Sequence, residues 1–157
     1  MDEKICSFFG HRTVTVTEEL YAITTAEIWK AVALGCRTFY FGGFGEFDAL
    51  CLSIVKKIKE EHPILRIKSV YCVWHERYLR KPSHVFQKED YDEIVYITPA
   101  FEGWYKSIYF RNCAMIDQSD FVIFFAEKRE NSGAYKAYKY ALSKKGKAVA
   151  NLYAQGS

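Results

Sequence analysis

Short, near-continuous apolar runs alternate with amphipathic stretches along almost the whole chain, and this constrains the fold more than any other feature of the sequence. Lys4–Phe9 (KICSFF), Thr38–Phe41 (TFYF), Ile67–Trp74, Glu93–Ile97 (EIVYI), Phe121–Ala126 and Ala148–Tyr153 have strand lengths and are apolar almost throughout. Between them lie helical spacings. Glu18–Leu34 carries Leu20, Ile23, Ile28 and Val32 behind Thr17 as N-cap, and Gly35 ends it. Glu46–Glu61 carries Leu50, Ile54, Val55 and Ile58 and stops at His62-Pro63. Two further helices are expected, from Tyr105 to Gln118 and from Ser132-Gly133 to Lys144. Residues 75–91 read as an irregular segment with one helical turn.

Strands that are apolar on both faces, each followed by a helix, argue a parallel sheet covered on both sides. The expected fold class is therefore α/β: a single doubly wound, Rossmann-like domain, its mostly parallel sheet of about six strands flanked by helices on both faces. The 157 residues suit one domain of the usual size, with a core from about residue 4 to 153. Ala154–Ser157 has the look of a protease-site remnant and is given no functional weight.

Composition narrows the function classes by exclusion. No apolar run is long enough for a membrane span, and MDEKICSFFG does not read as a secretory signal, so a cytoplasmic protein is expected. Lys and Arg number 22 against 19 Asp and Glu, and the resulting +3 is too small and too evenly spread to make nucleic acid the default partner. Cys6, Cys36, Cys51, Cys72 and Cys113 form no CxxC pair, and with His62, His75 and His84 they offer no metal spacing. Buried free thiols in a reducing compartment are expected, with no metal and no cofactor.

Three strand-to-helix junctions carry the polar chemistry, and a doubly wound sheet brings such junctions to one edge. After the first strand, Gly10-His11-Arg12 joins a close-turning backbone to donors suited to a phosphate or carboxylate. After the second, Gly42-Gly43-Phe44-Gly45-Glu46-Phe47-Asp48 can present backbone N–H groups to an anion, although it is neither a GxGxxG nor a Walker loop. Glu46 and Asp48 there read equally as helix caps. The third, Asn131-Ser132-Gly133, opens a helix and serves either as an ordinary cap or as an anion site. Arg111-Asn112 lies beside the apolar Cys113, Met115 and Ile116, where an arginine needs an acid or a ligand unless it lies on the helix's solvated side.

Taken in order, Cys6–Arg12, Gly42-Gly43-x-Gly45-x-x-Asp48, Arg111-Asn112-x-x-Met115-Ile116-x-x-Ser119-Asp120 and Ser132-Gly133-Ala134 resemble the SLOG superfamily, nearest its small stand-alone YspA/YpsA group. That superfamily includes DprA, the LOG phosphoribohydrolases and sensors of nucleotide signals in bacterial immunity. The resemblance implies a nucleotide or nucleoside-phosphate ligand, with Gly42, Gly43 and Gly45 lining it, Arg111 facing its ribose or phosphate, and Ser132 with Gly133 binding phosphate. It also implies a homo-oligomer. The PGGxGT loop of LOG enzymes and the glutamate after it are replaced here, since Tyr135–Tyr138 offers no carboxylate. The leading expectation is accordingly a binder of a nucleotide-derived signal, acting as a sensor or a sequestering module. An N-glycosidase would have to use Glu46 or Asp48 with Arg111, and a protein-interaction module with a vestigial pocket is the third reading.

Overall fold

Phe8 and Phe9, adjacent in β1 (Lys4–Gly10), point to opposite faces of a sheet and are both buried, so the strand has no wet side. The computed structural model describes residues 3–43, 45–73, 88–97, 107–129 and 131–153. Its other strands are β2 (Cys36–Phe41), β3 (Lys68–Val73), β4 (Glu93–Tyr96), β5 (Phe121–Phe125) and β6 (Ala148–Asn151), and its helices are α1 (Glu18–Ala33), α2 (Glu46–Glu61), α3 (Ser107–Gln118) and α4 (Gly133–Leu142). Two single 3-10 turns, Pro63–Leu65 and Lys88–Asp90, complete the described elements.

The six strands form one sheet in the order β4-β3-β2-β1-β5-β6, and every neighbouring pair is parallel. The all-parallel pairing sharpens the expectation of a mostly parallel sheet. One face packs Phe8, Phe39, Phe41 and Ile123 against Leu20, Ile28, Leu50 and Ile54 of α1 and α2. The other packs Phe9, Val70, Val122 and Phe124 against Met115 and Ile116 of α3 and Ala137 and Ala141 of α4. Each large side chain buried in this way contributes about 1.5–3 kcal/mol, which is why the apolar runs are continuous.

Local signals set the ends of most elements where the sequence puts them. Thr17 caps α1 by accepting the Leu20 N–H at 3.0 Å, and Ser132 caps α4 by accepting the Tyr135 N–H at 3.1 Å. α4 stops two residues before the expected Lys144, with Ser143 as its C-cap. β6 ends at Asn151 rather than Tyr153, because the Asn151 side chain turns to bond both backbone groups of Ala126. Of the irregular stretch expected over 75–91, residues 75–87 lie outside the described residues, as do Trp74, Tyr105 and Ala154–Ser157. Among the described residues no helix is long and apolar enough to cross a membrane. All five cysteines are buried and free.

The order of the strands places the site. From β1 the chain winds outward through β2 and β3 to β4, then returns to lay β5 on the other side of β1. Beyond the carboxyl ends of β1 and β5 the connections diverge to opposite faces, which leaves a crevice at this switch point.

Gly10, the last residue of β1, illustrates how tightly that edge is packed: a β-carbon there would lie 2.4 Å from the Phe47 side chain of α2. Gly10→Ala is expected to destabilise the protein by about 1–3 kcal/mol in urea unfolding, the usual cost of forcing a packed core apart. An unchanged unfolding midpoint would contradict this packing.

Candidate functional site

A cavity of about 560 Å³ occupies the switch point, within the size range of small-molecule sites. Phe8, Phe9 and Gly10 of β1 and Ile108 of α3 form its apolar part, and polar groups converge from three connections and from α3.

Arg111 is the deepest of these groups. It sits on α3 with only 4% of its surface exposed. Its Nη1 donates to the Gly42 carbonyl at 3.1 Å, and its Nη2 and Nε donate to Asn112 Oδ1 at 2.9 and 3.3 Å. Buried Asn112 thus braces the guanidinium beside the end of β2. The approach requires a glycine, since a β-carbon at Gly42 would stand 2.7 Å from Arg111 Nη2. Gly42 therefore belongs to the cavity because it makes room for the arginine.

Asp48, buried in the first turn of α2, lies close enough to Arg111 to feel its charge. Its carboxylate accepts the Gly43 N–H at 2.8 Å, a bond made possible by the left-handed backbone of Gly43, at φ 77°. Burial pushes the carboxyl up to about 7, against the opposing pull of the Gly43 amide, Arg111 and the Gly42 amide. The glycine loop thus spends amides on a carboxylate of its own chain, where the sequence had offered them to an outside anion.

The third wall is the segment after β5. Ser132, Gly133 and Ala134 bring the start of α4 to the cavity, and Asn131 and Arg129 line it beside them. Arg129, itself exposed, also pairs with the half-buried Glu127, its Nε lying 2.7 Å from Oε2. Against this segment stand His11, Arg12 and Thr13 after β1. His11 is nearly buried, and its ring is held below its ordinary value by that burial and by the charge of Arg129, against the pull of Glu127.

Of the residues singled out in the sequence, Gly10, His11, Arg12, Gly42, Asp48, Arg111, Asn112, Ser132 and Gly133 line this one cavity. Gly43, Gly45 and Glu46 do not. Gly43 packs on the Tyr71 ring and Gly45 on the Arg12 backbone. Glu46 turns away: its N–H donates to the Arg12 carbonyl at 2.8 Å and its carboxylate accepts the Val14 N–H at 2.9 Å. It ties the start of α2 to the loop after β1. Asn131, read in the sequence as part of the third junction, also lines the cavity, whereas Arg129 and Ile108 were not singled out for the site. Arg129 was within reach of the sequence, because any residue just after β5 falls on the same edge of the sheet as Gly10. Among the described residues no group of three His, Cys, Asp or Glu side chains is placed to hold a metal ion.

The raised Asp48 carboxyl has a signed consequence. The native state keeps a proton that the unfolded chain releases near its ordinary 3.8. The group's contribution to stability is therefore complete below that value and is lost as the pH rises through about 7. Asp48→Asn removes the titration and leaves an acceptor for Gly43. Its stability relative to the unmodified protein is expected to rise by on the order of 1–3 kcal/mol between about pH 5 and about pH 8. Unfolding curves that keep a constant separation over this range would contradict the assignment.

No protein-family model and no curated protein matches this chain. Solved structures do. The chain is similar to the molybdenum cofactor binding protein from the phototrophic bacterium Rippkaea orientalis, with 16% identity and a TM-score of 0.58 over 99% of this chain and 82% of that one. It is also similar to DNA processing protein A (DprA) from Streptococcus pneumoniae, with 14% identity and a TM-score of 0.60 over 94% of this chain, and it spans 50% of that protein's length. At these identities the likeness establishes the fold: a Rossmann-like α/β sheet of the type found in DprA.

Proposed function

We propose that the cavity binds a nucleotide-derived small molecule, its phosphate between Arg111 and the start of α4 and its sugar or base against the apolar part formed with Ile108. The observation that carries this reading is the buried Arg111 guanidinium on the wall of an open cavity at the switch point. A desolvated guanidinium attracts a phosphate far more strongly than one in water. Arg12 and Arg129 add positive charge at the same cavity, and the amides and hydroxyl at the start of α4 suit an anion. A structural neighbour described as a cofactor-binding protein fits a ligand held by this fold. By resemblance to the SLOG superfamily, which includes sensors in bacterial immunity, the chain acts as a sensor or a sequestering module for a nucleotide signal, in the setting of bacterial or phage immunity.

A second reading rests on Asp48. A carboxyl held near 7 beside an arginine, in a cavity, has the protonation behaviour of a general acid, which is what removal of a base from a nucleoside monophosphate requires. Glu46 cannot share that role, because it faces away.

A thermal-shift screen against nucleoside monophosphates, dinucleotides, cyclic nucleotides and ADP-ribose isomers tests both readings, with chromatography of each mixture. Binding at 100 times Kd adds about 2.7 kcal/mol of stability. Ligand recovered intact is the expected result. Free base appearing with the unmodified chain and not with Asp48→Asn would instead establish the glycosidase. Arg111→Ala is expected to weaken binding by about 1.5–3 kcal/mol, the loss of a charge-assisted hydrogen bond. Unchanged affinity in a folded Arg111→Ala protein would overturn the assignment of the phosphate to this residue.

A further inference from the structure

His11 was expected to offer donors to a ligand, but its hydrogen bonds run within the chain. Its Nε2 lies 2.7 Å from the Glu127 backbone nitrogen and accepts that N–H. A ring nitrogen that accepts carries no proton, so the neutral ring carries its proton on Nδ1. Nδ1 lies 3.4 Å from Ser132 Oγ, which accepts from it. The same oxygen accepts the Tyr135 N–H at 3.1 Å. A hydroxyl has two acceptor positions and one proton. With both acceptor positions taken, Ser132 has only its proton to offer, and Ser132 lines the cavity. The ring is fixed in place by burial and by the edge of Phe125, at 6.1 Å between centroids.

We propose that His11 is a positioning residue. As the Nδ1–H tautomer it docks the segment after β5 onto the end of β1 and makes the Ser132 hydroxyl a dedicated donor, so that the site selects an anion at that point. The second half rests on the ligand-binding reading above; the first does not. Protonation undoes the arrangement, because an Nε2–H would then face the Glu127 N–H. The charged groups that face the ring are Arg129 and Glu127 of the segment after β5, with Arg12 next to it in sequence. Arg111 of α3 and Asp48 of α2 line the same cavity. Burial and Arg129 keep the ring neutral, and Glu127 opposes them.

Long-range proton–nitrogen NMR of the imidazole rings tests this on the whole chain, together with hydrogen exchange at the Glu127 amide. Above neutral pH the His11 ring is expected as the Nδ1–H tautomer, with a protected Glu127 amide. Protection is lost as the pH falls below the ordinary imidazole value of 6.5 and the ring protonates. His11→Gln places an amide oxygen near the position of Nε2 and is expected to keep the amide protected without this pH dependence. His11→Asn reaches only the position of Nδ1 and is expected to lose the protection. An Nε2–H tautomer, or equal exchange in all three proteins, would overturn the proposal.

Inorganic sulfate, whose charge is constant over this range, probes the second half. Its binding is expected to weaken about tenfold one pH unit below the native His11 value, in proportion to the competent fraction, and to stay flat in His11→Gln. Tighter sulfate binding as the ring protonates would mean that His11 itself donates to the anion, and would overturn the assignment of Ser132. Sulfate that binds at no pH would count against the anion site, while the tautomer and the amide still decide the role of His11.

Discussion

A guanidinium taken out of water must be surrounded by partners, and the end of this sheet is arranged around that requirement at Arg111. The arginine stands on α3, on one face of the sheet, and donates to the Gly42 carbonyl at the tip of β2. Asp48 stands on α2, on the opposite face, and bonds the adjacent Gly43 amide. The two side chains thus bond neighbouring glycines at the sheet's edge, near enough for Arg111 to pull on the Asp48 carboxyl. This contact joins the two helical layers where the connections diverge, and it places a positive group on the wall of the crevice. Desolvation acts on both partners. It raises the Asp48 carboxyl and leaves Arg111, which cannot give up its proton, as the fixed charge.

The loop after β1 and the segment after β5 are assembled by the same economy of partners. Asp120 accepts the Ile5 N–H at 3.0 Å and donates its own N–H to the Ile5 carbonyl at 2.8 Å. The Ser7 and Ser119 hydroxyls meet at 2.5 Å in the core. These contacts set β5 beside β1 in register, and His11 continues the connection beyond the strand ends to Glu127 and Ser132. The wall after β5 is therefore tied to β1 and the loop after it by hydrogen bonds, while the Arg111 wall is tied to the end of β2.

The fold was legible because burial on both faces writes itself into the central strands, as in Phe8-Phe9 and Phe121–Phe125, while the edge strands β4 and β6 are only partly buried. The edge of the sheet that carries the site followed from the same alternation. What each glycine does was not legible. A Gly-Gly-x-Gly run reports close backbone approach but not the approaching group, and here the groups are the Arg111 guanidinium, the Tyr71 ring and the Arg12 backbone, all distant in sequence. Glu46 and Asp48 look alike in the sequence as acids in a first helical turn. Only the packing of α2 against β1 sends one to the Val14 amide and buries the other. Arg129 escaped notice because an arginine in a loop carries no periodic or capping signal. The solved structures that share this frame at 14–16% identity share its topology, and a site is set by side chains at the edge more than by the frame itself.

The central claim is that the crevice beyond β1 and β5, walled by Arg111, is where a phosphorylated small molecule sits. Amide and arginine Nε chemical shifts recorded while adenosine monophosphate or ADP-ribose is titrated into the isotope-labelled chain test it most directly. Saturable shifts at Gly10–Thr13, Gly42, Arg111 and Ser132–Ala134, with the rest of the sheet unmoved, are the result this account predicts. Saturable shifts confined to a different surface, with the Arg111 Nε signal unchanged, would contradict it.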